Sequence, residues 1–258
     1  MTLSRETLCF ERLALAREEQ VSVEGEATLP GSMRDAVTVL SVQAQAYLED
    51  ARATAGGMTL RGHVSFQALY TQGDLTRIRA METTCDFEHS IDAPELQQDM
   101  RVNASVAVQE TEGTAASGRM TLRALLDLQI EAFETTRQAL VTDAAGDADA
   151  LRTRMQRVAF CRTAPLGEEK TLVREEFDLP ARLEVGDVLS ATGGRRGGAD
   201  GRRGRVGVSG TVEVRVLHRP QEAGNPLVMT SHELPFELSI DTQIPTGRRF
   251  TRRRRPLT

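Results

Sequence analysis

The sequence is poor in the residues that most often carry out chemistry. Its 258 residues include no Trp, two Tyr, four His and three Cys. The cysteines, Cys9, Cys85 and Cys161, lie far apart and form no CxxC pair, which argues against a disulfide framework and a structural zinc site. No apolar run approaches the roughly 18–20 residues that a membrane-spanning helix needs, and residues 1–6 lack the apolar core of a secretory signal. These absences predict a cytoplasmic globular protein that is not an enzyme and has no cofactor or metal site.

Positive charge is scarce in the first part of the chain and concentrated in the second. Residues 1–150 carry a net charge of −12 and residues 151–258 a net charge of +7, within a total of −5. Two stretches rich in arginine, 193–205 and 248–255, account for this asymmetry. They contain the candidate anion-binding residues, which are Arg195, Arg196, Arg202, Arg203, Arg252, Arg253, Arg254 and Arg255.

Neither arginine-rich stretch has the pattern of a known phosphate or nucleic-acid site. Residues 193–205 lack the G-x-x-x-x-G-K-[ST] spacing of a P-loop and have no aromatic side chains for base stacking. The chain has a single lysine, Lys170, so its preference for arginine reflects genome composition more than site chemistry. We expect residues 193–205 to form an extended flexible loop and residues 244–258 a disordered basic tail, with binding to a polyanion or a membrane surface as the alternative.

The dominant pattern along the chain is an alternation of apolar and polar residues, which is typical of strands with one buried face. In residues 58–70, one face holds Met58, Leu60, Val64, Phe66 and Ala68, and the other holds Arg61, Gly62, His63, Ser65 and Gln67. Similar runs occur at 21–24, 102–108, 120–130 and 206–216, with turn residues between them. This spacing predicts an all-β protein built as an antiparallel sandwich or barrel. Residues 3–18 fit neither period, and residues 150–158 are compatible with a short helix.

The sequence contains an internal repeat with an offset of about 148–150 residues. Four blocks recur in the same order: 19–30 matches 169–180, 39–41 matches 188–190, 62–70 matches 210–218, and 87–92 matches 236–241. Turn residues and apolar positions repeat, whereas no set of reactive residues does. The repeat predicts a β module at 1–142, a linker at 143–154, a second and partial β module at 155–243, and the basic tail at 244–258.

The second copy is shorter than the first. The first copy continues after Asp92 through two further strand-like runs, 100–108 and 120–130, whereas no such runs follow Asp241. A sheet that lacks two strands exposes its edges and its apolar face. Three explanations remain open: a partner supplies the missing strands, the second copy folds poorly, or the sequence is a truncated product.

The repeated blocks resemble the SPOCS domain of SipL-type spore-coat proteins. The first block reads Val23-Glu24-Gly25-Glu26-Ala27-Thr28-Leu29-Pro30, and the second has Asp35 and Val39-Leu40-Ser41-Val42, with Arg34 and Ala36 where Pro and Ile are usual. The third block holds Gly62, Val64, Phe66, Leu69 and Tyr70, and the fourth holds Phe87, Ile91, Asp92 and Pro94. The resemblance covers residues 3–142 well and residues 151–241 in part.

This resemblance implies a non-enzymatic scaffold in spore coat assembly, on the mother-cell side of the forespore surface. It implies protein partners, which include a coat morphogenetic ATPase or further copies of the chain, and no small-molecule substrate. Family members commonly carry a C-terminal LysM module, which has no counterpart in this sequence. Contact would run through sheet edges and surface loops, with strand addition to the incomplete second copy as one form of it.

The remaining polar residues do not form a convincing site. Cys85 and His89 would lie about 13 Å apart on a strand, which is too far for a nucleophile and its base. His63 and His218 are expected to face solvent or a strand end. Adjacent carboxylates such as Glu18 and Glu19 point to opposite faces of a strand and do not converge.

Overall fold

The computed structural model describes residues 2–31, 37–73, 78–145, 169, 171–179, 184–202, 205–221 and 226–241. All of its regular structure is β-strand, which confirms the all-β prediction. The strands are β1 (Thr2–Thr28), β2 (Val37–Thr54), β3 (Gly57–Gln72), β4 (Arg79–Asp92), β5 (Arg101–Ala116), β6 (Arg119–Ala145), β7 (Val185–Arg202), β8 (Arg205–Pro220) and β9 (Val228–Asp241). Over these ranges, no helix has the length and hydropathy that crossing a bilayer requires.

The strands form three antiparallel sheets of three strands each. Their strand orders are β1-β6-β5, β2-β3-β4 and β7-β8-β9, and none of the three closes into a barrel. Residues 3–18, which fit neither period in the sequence, are part of β1. This strand pairs with β6 from Thr2 opposite Ala145 to Thr28 opposite Arg119, with register shifts at Ser4/Arg5 and Leu13/Leu15. The shifts displace the apolar residues from a regular alternation, which explains why the period was unreadable.

The chain divides into two compact units. The first consists of Met1–Pro30, Val42–Phe66 and Thr83–Thr163, and the second of Gly31–Ser41, Gln67–Glu82 and Ala164–Thr258. The predicted module boundaries, linker, short helix and basic tail stay predictions, since 146–168 and 242–258 lie outside the described residues.

In the first unit, the sheets β1-β6-β5 and β2-β3-β4 share one hydrophobic core. This core joins Met58 and Leu60 of β3, Ile91 of β4, and Leu128 and Ile130 of β6. Along β6 the buried side chains are Met120, Leu122, Ala124, Leu126, Leu128, Ile130 and Ala132, each at most 1% exposed. The period-two alternation therefore places one face of each sheet against the other, as in a β-sandwich.

Gly62 lies on the buried face of β3, between Leu60 and Val64. The prediction that it faces outward was therefore wrong. A Cβ atom on Gly62 would overlap the carbonyl oxygen of Tyr47 and come within 2.9 Å of Phe87 Cζ. Only glycine allows the strand backbone and the phenylalanine ring to approach this closely, so the residue is a packing device that sequence polarity does not reveal.

The second unit contains the sheet β7-β8-β9. Residues 193–202 of the glycine- and arginine-rich stretch belong to β7, so the prediction of a loop there was wrong. Gly197 of β7 lies opposite Gly210 of β8, and a Cβ on Gly197 would stand only 2.6 Å from the Ser209 carbonyl oxygen. Two facing glycines let the backbones come together, which favours pairing although glycine has a low intrinsic preference for strands.

One end of β7 and β8 packs tightly within the second unit. Leu189, Ser190 and His218 are buried there. Ser190 Oγ donates a hydrogen bond to Gln67 Oε1 at 2.6 Å, and Arg219 Nη2 donates one to the Ile78 carbonyl oxygen at 2.7 Å. His218 is 0% exposed, so the prediction of a surface position for it was wrong. Its place in the alternation of β8 puts it on the apolar face, where the matching residue in the repeat is Tyr70.

Candidate interaction surface

A bidentate ion pair joins β5 to β1 in the first unit. Arg101 donates from Nε and Nη2 to the two carboxylate oxygens of Glu11, at 2.9 and 2.8 Å. Its guanidinium also lies 4.4 Å from the centre of the Phe133 ring. The hydrogen bonds to Glu11 raise the pKa of Arg101 above its ordinary value. A bidentate pair of this kind, stacked on an aromatic ring, fixes two strands and has no group to transfer.

Two histidines of the first unit bind carboxylates at the surface. His63 Nδ1 lies 2.8 Å from Glu49 and its ring stacks on Tyr47 with 5.0 Å between centres. His89 Nε2 lies 3.2 Å from Glu19, which also pairs with Arg17 at 2.6 Å. Throughout the ranges that the structure describes, no group of three or more His, Cys, Asp or Glu side chains is placed to hold a metal ion. The His63 pair connects β3 to β2 within one sheet, and the His89 pair connects β4 to β1 of the other sheet. Neither brings a nucleophile to a base.

Cys85 is half-buried on β4. Burial is the main cause that raises the pKa of its thiol, and the negative charge of Asp86 adds to the effect. The raised pKa leaves less thiolate at neutral pH, so Cys85 is a weaker nucleophile than an exposed cysteine. The Cys85 sulfur lies against Gly25 of β1, whereas His89 on the same strand contacts Glu19.

The structure does not gather the candidate anion-binding residues into one site. Arg195 and Arg196 lie on β7, where they are opposite Val212 and Thr211 of β8. Both are exposed, and as neighbours on a strand they point to opposite faces of the sheet. Arg202 ends β7, and its side chain lies outside the described residues, as do Arg203 and Arg252 to Arg255. Anion binding by the full set stays a prediction.

The most distinctive surface of the second unit is one face of β8 and β9. We call it the valine face, and it comprises Val206, Val208, Val212, Val214, Val216, Leu234, Phe236, Leu238 and Ile240. The register confirms that these residues share a side, because Val208 lies opposite Leu238, Val212 opposite Leu234, and Val206 opposite Ile240. The other side carries polar pairs such as Glu213 opposite Glu233, so this sheet has one apolar and one polar face.

The valine face is less buried than the corresponding face of the first unit. Leu60, Val64 and Phe66 of β3 are 0% exposed, whereas Val208, Val212 and Val214 at the matching positions of β8 are only partly buried. The alternation of apolar and polar residues in 206–216 predicted β8 from the sequence. It did not indicate how far the face is covered, because cover depends on the strands packed against it.

Comparison with known proteins gives one match. Residues 35–115 match the family model of the SipL SPOCS domain, which confirms the resemblance found in the sequence. The matched segment includes β2, β3, β4 and almost all of β5. Neither the curated proteins nor the solved structures gave a match.

Proposed function

We propose that the chain is a non-enzymatic structural protein of the spore coat, which acts in the mother-cell cytoplasm through contacts with other proteins. The SPOCS-domain match of residues 35–115 carries this proposal, since it relates the chain to sporulation. Residues 155–243 would be a second, partial copy of the same module.

The strands of the second sheet support a duplicated module. β7, β8 and β9 contain 18, 16 and 14 residues, as do β2, β3 and β4. Each begins 148 or 149 residues after its counterpart, and both sheets place the middle strand of the sequence at their centre. A duplication that keeps strand lengths and order, and repeats no reactive residues, fits a structural module.

The sheet edges offer a means of contact. β7 and β9 are the outer strands of their sheet, and an outer strand presents backbone groups that another strand can pair with. Partners would include further copies of the chain or a coat morphogenetic ATPase. Surface ion pairs such as Arg205 with Asp241 contribute little affinity and leave recognition to backbone pairing and apolar contact.

The test is to follow a fluorescent fusion of the chain in sporulating cells of its source and to identify co-purifying proteins. We expect the fusion to concentrate at the developing spore and to retain coat proteins through a high-salt wash. The variant Gly62→Val, which disrupts the first-unit core, is the matched control and should remain diffuse. Diffuse signal from the unaltered fusion throughout sporulation, without coat proteins in the eluate, would refute the proposal.

The second candidate function is binding to a polyanion or an anionic membrane surface. It is favoured by the exposed Arg195 and Arg196 on the outer strand β7. Such binding depends on counterion release and weakens steeply between low and physiological salt. A salt titration with heparin and with anionic vesicles, comparing the chain with the double variant Arg195→Ser/Arg196→Ser, separates this function from a scaffold.

A further inference from the structure

β7 is an outer strand whose second half is open to solvent. Among the described strands it pairs only with β8. Every residue from Gly193 to Asp200 is exposed, and the pairing with β8 is regular from Ser190 to Arg202, because both register shifts occur before Ser190. A regular, exposed outer strand presents a row of backbone groups on which a further strand can pair.

Pro235 indicates which residues of β7 direct their backbone groups outward. It lies on the other outer strand, β9, opposite Thr211 of β8. A proline is tolerated in an outer strand where its missing N–H points away from the sheet, so the backbone groups of Thr211 bond to β7, where Thr211 lies opposite Arg196. These directions alternate along an antiparallel strand. The residues of β7 with outward N–H groups are therefore Arg195, Gly197, Ala199 and Gly201.

We propose that two copies of the chain associate through this edge, with β7 of one copy antiparallel to β7 of the other and Gly198 on the two-fold axis. The paired segment is 194–202, which is about 30 Å long. The two sheets become one sheet of six strands, with the two β7 strands at its centre. The inference rests on the proposed function, because it names the edge and the partner through which the scaffold makes contact.

The charges of β7 select this register. When a strand pairs with its own copy about a two-fold axis, each residue lies opposite itself or a residue an even number of positions away, since opposite side chains share a face. With Gly198 at the centre, Arg196 of each copy lies opposite Asp200 of the other. Centring the pair on Gly197 or Ala199 leaves Asp200 opposite a glycine. Centring it on Arg196 or on Asp200 places like charges opposite each other, which is unfavourable.

The corresponding strand of the first unit has no such complementarity. The positions 148 residues before Arg196 and Asp200 are Leu48 and Arg52 of β2. Leu48 packs against the core of the first unit, and Arg52 pairs with Asp50 on its own strand at 2.8 Å. The self-complementary charges therefore belong to β7 alone of these two strands. Exposed ion pairs add little affinity, so backbone pairing holds the two copies together and the charges fix the register.

The first experiment measures the association of the full chain by sedimentation velocity and its amide exchange at two concentrations. We expect a monomer–dimer equilibrium. The outward amides of Arg195, Gly197 and Ala199 should exchange about tenfold more slowly where the dimer predominates, because they donate hydrogen bonds only in the dimer. The variant Ala199→Pro removes an outward N–H while it leaves the bonds to β8 intact, and should weaken association about tenfold or more.

The second experiment reverses the charges. Arg196→Asp and Asp200→Arg should each weaken association about tenfold, because each places like charges opposite each other twice in the dimer. The double variant Arg196→Asp/Asp200→Arg restores opposite charges and should recover the association of the unaltered chain. Glu237→Arg is the matched control. It reverses an exposed charge on the other outer strand, β9, and should leave association unchanged.

Four results would overturn the inference. They are a monomer at every concentration, a dimer in which the outward amides of β7 gain no protection, single charge variants that the double variant does not rescue, and an equal effect of Glu237→Arg. The fusion in sporulating cells separates this failure from failure of the proposed function. If the fusion concentrates at the spore while the purified chain stays monomeric, only the inference about β7 is lost.

Discussion

The sheets β2-β3-β4 and β7-β8-β9 have the same strand lengths and the same order, and they differ in what lies on their apolar faces. In the first unit the middle strand has Val64 and Phe66 at 0% exposure, because a second sheet shares the core. In the second unit Val212 and Val214 remain partly exposed. Alternation of apolar and polar residues is therefore enough to specify a strand, whereas its burial depends on a second layer.

Both sheets also contain a glycine that faces a phenylalanine. Gly62 lies against Phe87, and Gly210 lies opposite Phe236. A Cβ on Gly210 would overlap the Arg196 carbonyl oxygen, just as one on Gly62 would overlap the Tyr47 carbonyl oxygen. The Phe87 ring lies over Gly62, whereas the Phe236 ring lies 3.4 Å from the position of a Cβ on Gly197, the glycine that faces Gly210. In both sheets the backbone of the outer strand comes close to the glycine of the middle strand. Because this device occurs in both sheets, the two can be compared by matched substitutions.

The largest effect is expected from adding a methyl group to these glycines. Gly62→Ala should lower the free energy of unfolding by about 3–4 kcal/mol, because neither the backbone of Tyr47 nor the buried Phe87 ring can move away. Gly210→Ala should cost about 2 kcal/mol, since the outer strand β7 is mostly exposed and can shift. Urea denaturation measures the free energy of unfolding of both variants, and amide exchange in β3 and β8 shows where the stability is lost. A cost for Gly210→Ala equal to that of Gly62→Ala would mean that β7 is held as firmly as β2.

The next largest difference in the free energy of unfolding is expected between Val64 and Val212, which occupy matching positions of β3 and β8. Val64→Ala removes two methyl groups from a fully buried site and should cost about 2–3 kcal/mol. Val212→Ala removes the same groups from a partly exposed site and should cost less than about 1 kcal/mol. Urea denaturation of both variants measures the ratio of the two losses in the free energy of unfolding, and amide exchange shows which strands are affected. If Val212→Ala proves as costly as Val64→Ala, the valine face is covered in the free chain.

Much of this fold follows from the sequence, because period-two patterning is a local property. The strands around Val64, Val106, Leu126 and Val212 were all located by alternation. β1 was ambiguous because register shifts at Leu13/Leu15 break its period. β7 was missed because its glycines and arginines disfavour strands locally, and pairing with Gly210 overrides that preference.

The candidate surface was only partly predictable. The alternation in 206–216 predicted the central strand of the valine face, and the arginine-rich stretch singled out Arg195 and Arg196. The second, partial copy of the module stays a prediction. Because neither His218 nor Gly62 has an apolar side chain, both were expected on the outer face of their strands. Their positions in the alternation place them on the buried face, where the structure has them. How far Val208, Val212 and Val214 are buried depends on what packs against them, and that is a property of the packed molecule.

A smaller effect is expected at the buried end of β8. Both ring nitrogens of His218 are buried without a hydrogen-bond partner among the described residues. A buried polar group of this kind costs free energy that an apolar ring of similar size would recover. His218→Phe should therefore raise the free energy of unfolding by about 1 kcal/mol, as thermal denaturation would show. His63→Phe is the control and should bring no gain, because His63 interacts with Glu49. A loss of stability in His218→Phe would show that the imidazole makes a polar contact in solution.

The smallest effect is expected on the polar face of the same strand. Hydrogen bonds from Arg215 and then from Ser231 lower the pKa of Glu213 below its ordinary value. A carboxyl with a lowered pKa in the folded chain contributes stability above its unfolded pKa of about 4.3, and loses it as the pH falls through the folded pKa. Glu213→Gln should therefore lower the melting temperature barely measurably at pH 7 and not at all at pH 3. A difference that grows in acid would contradict this sign, and a large difference at pH 7 would mean that the polar face stabilises the second sheet more than the valine face does.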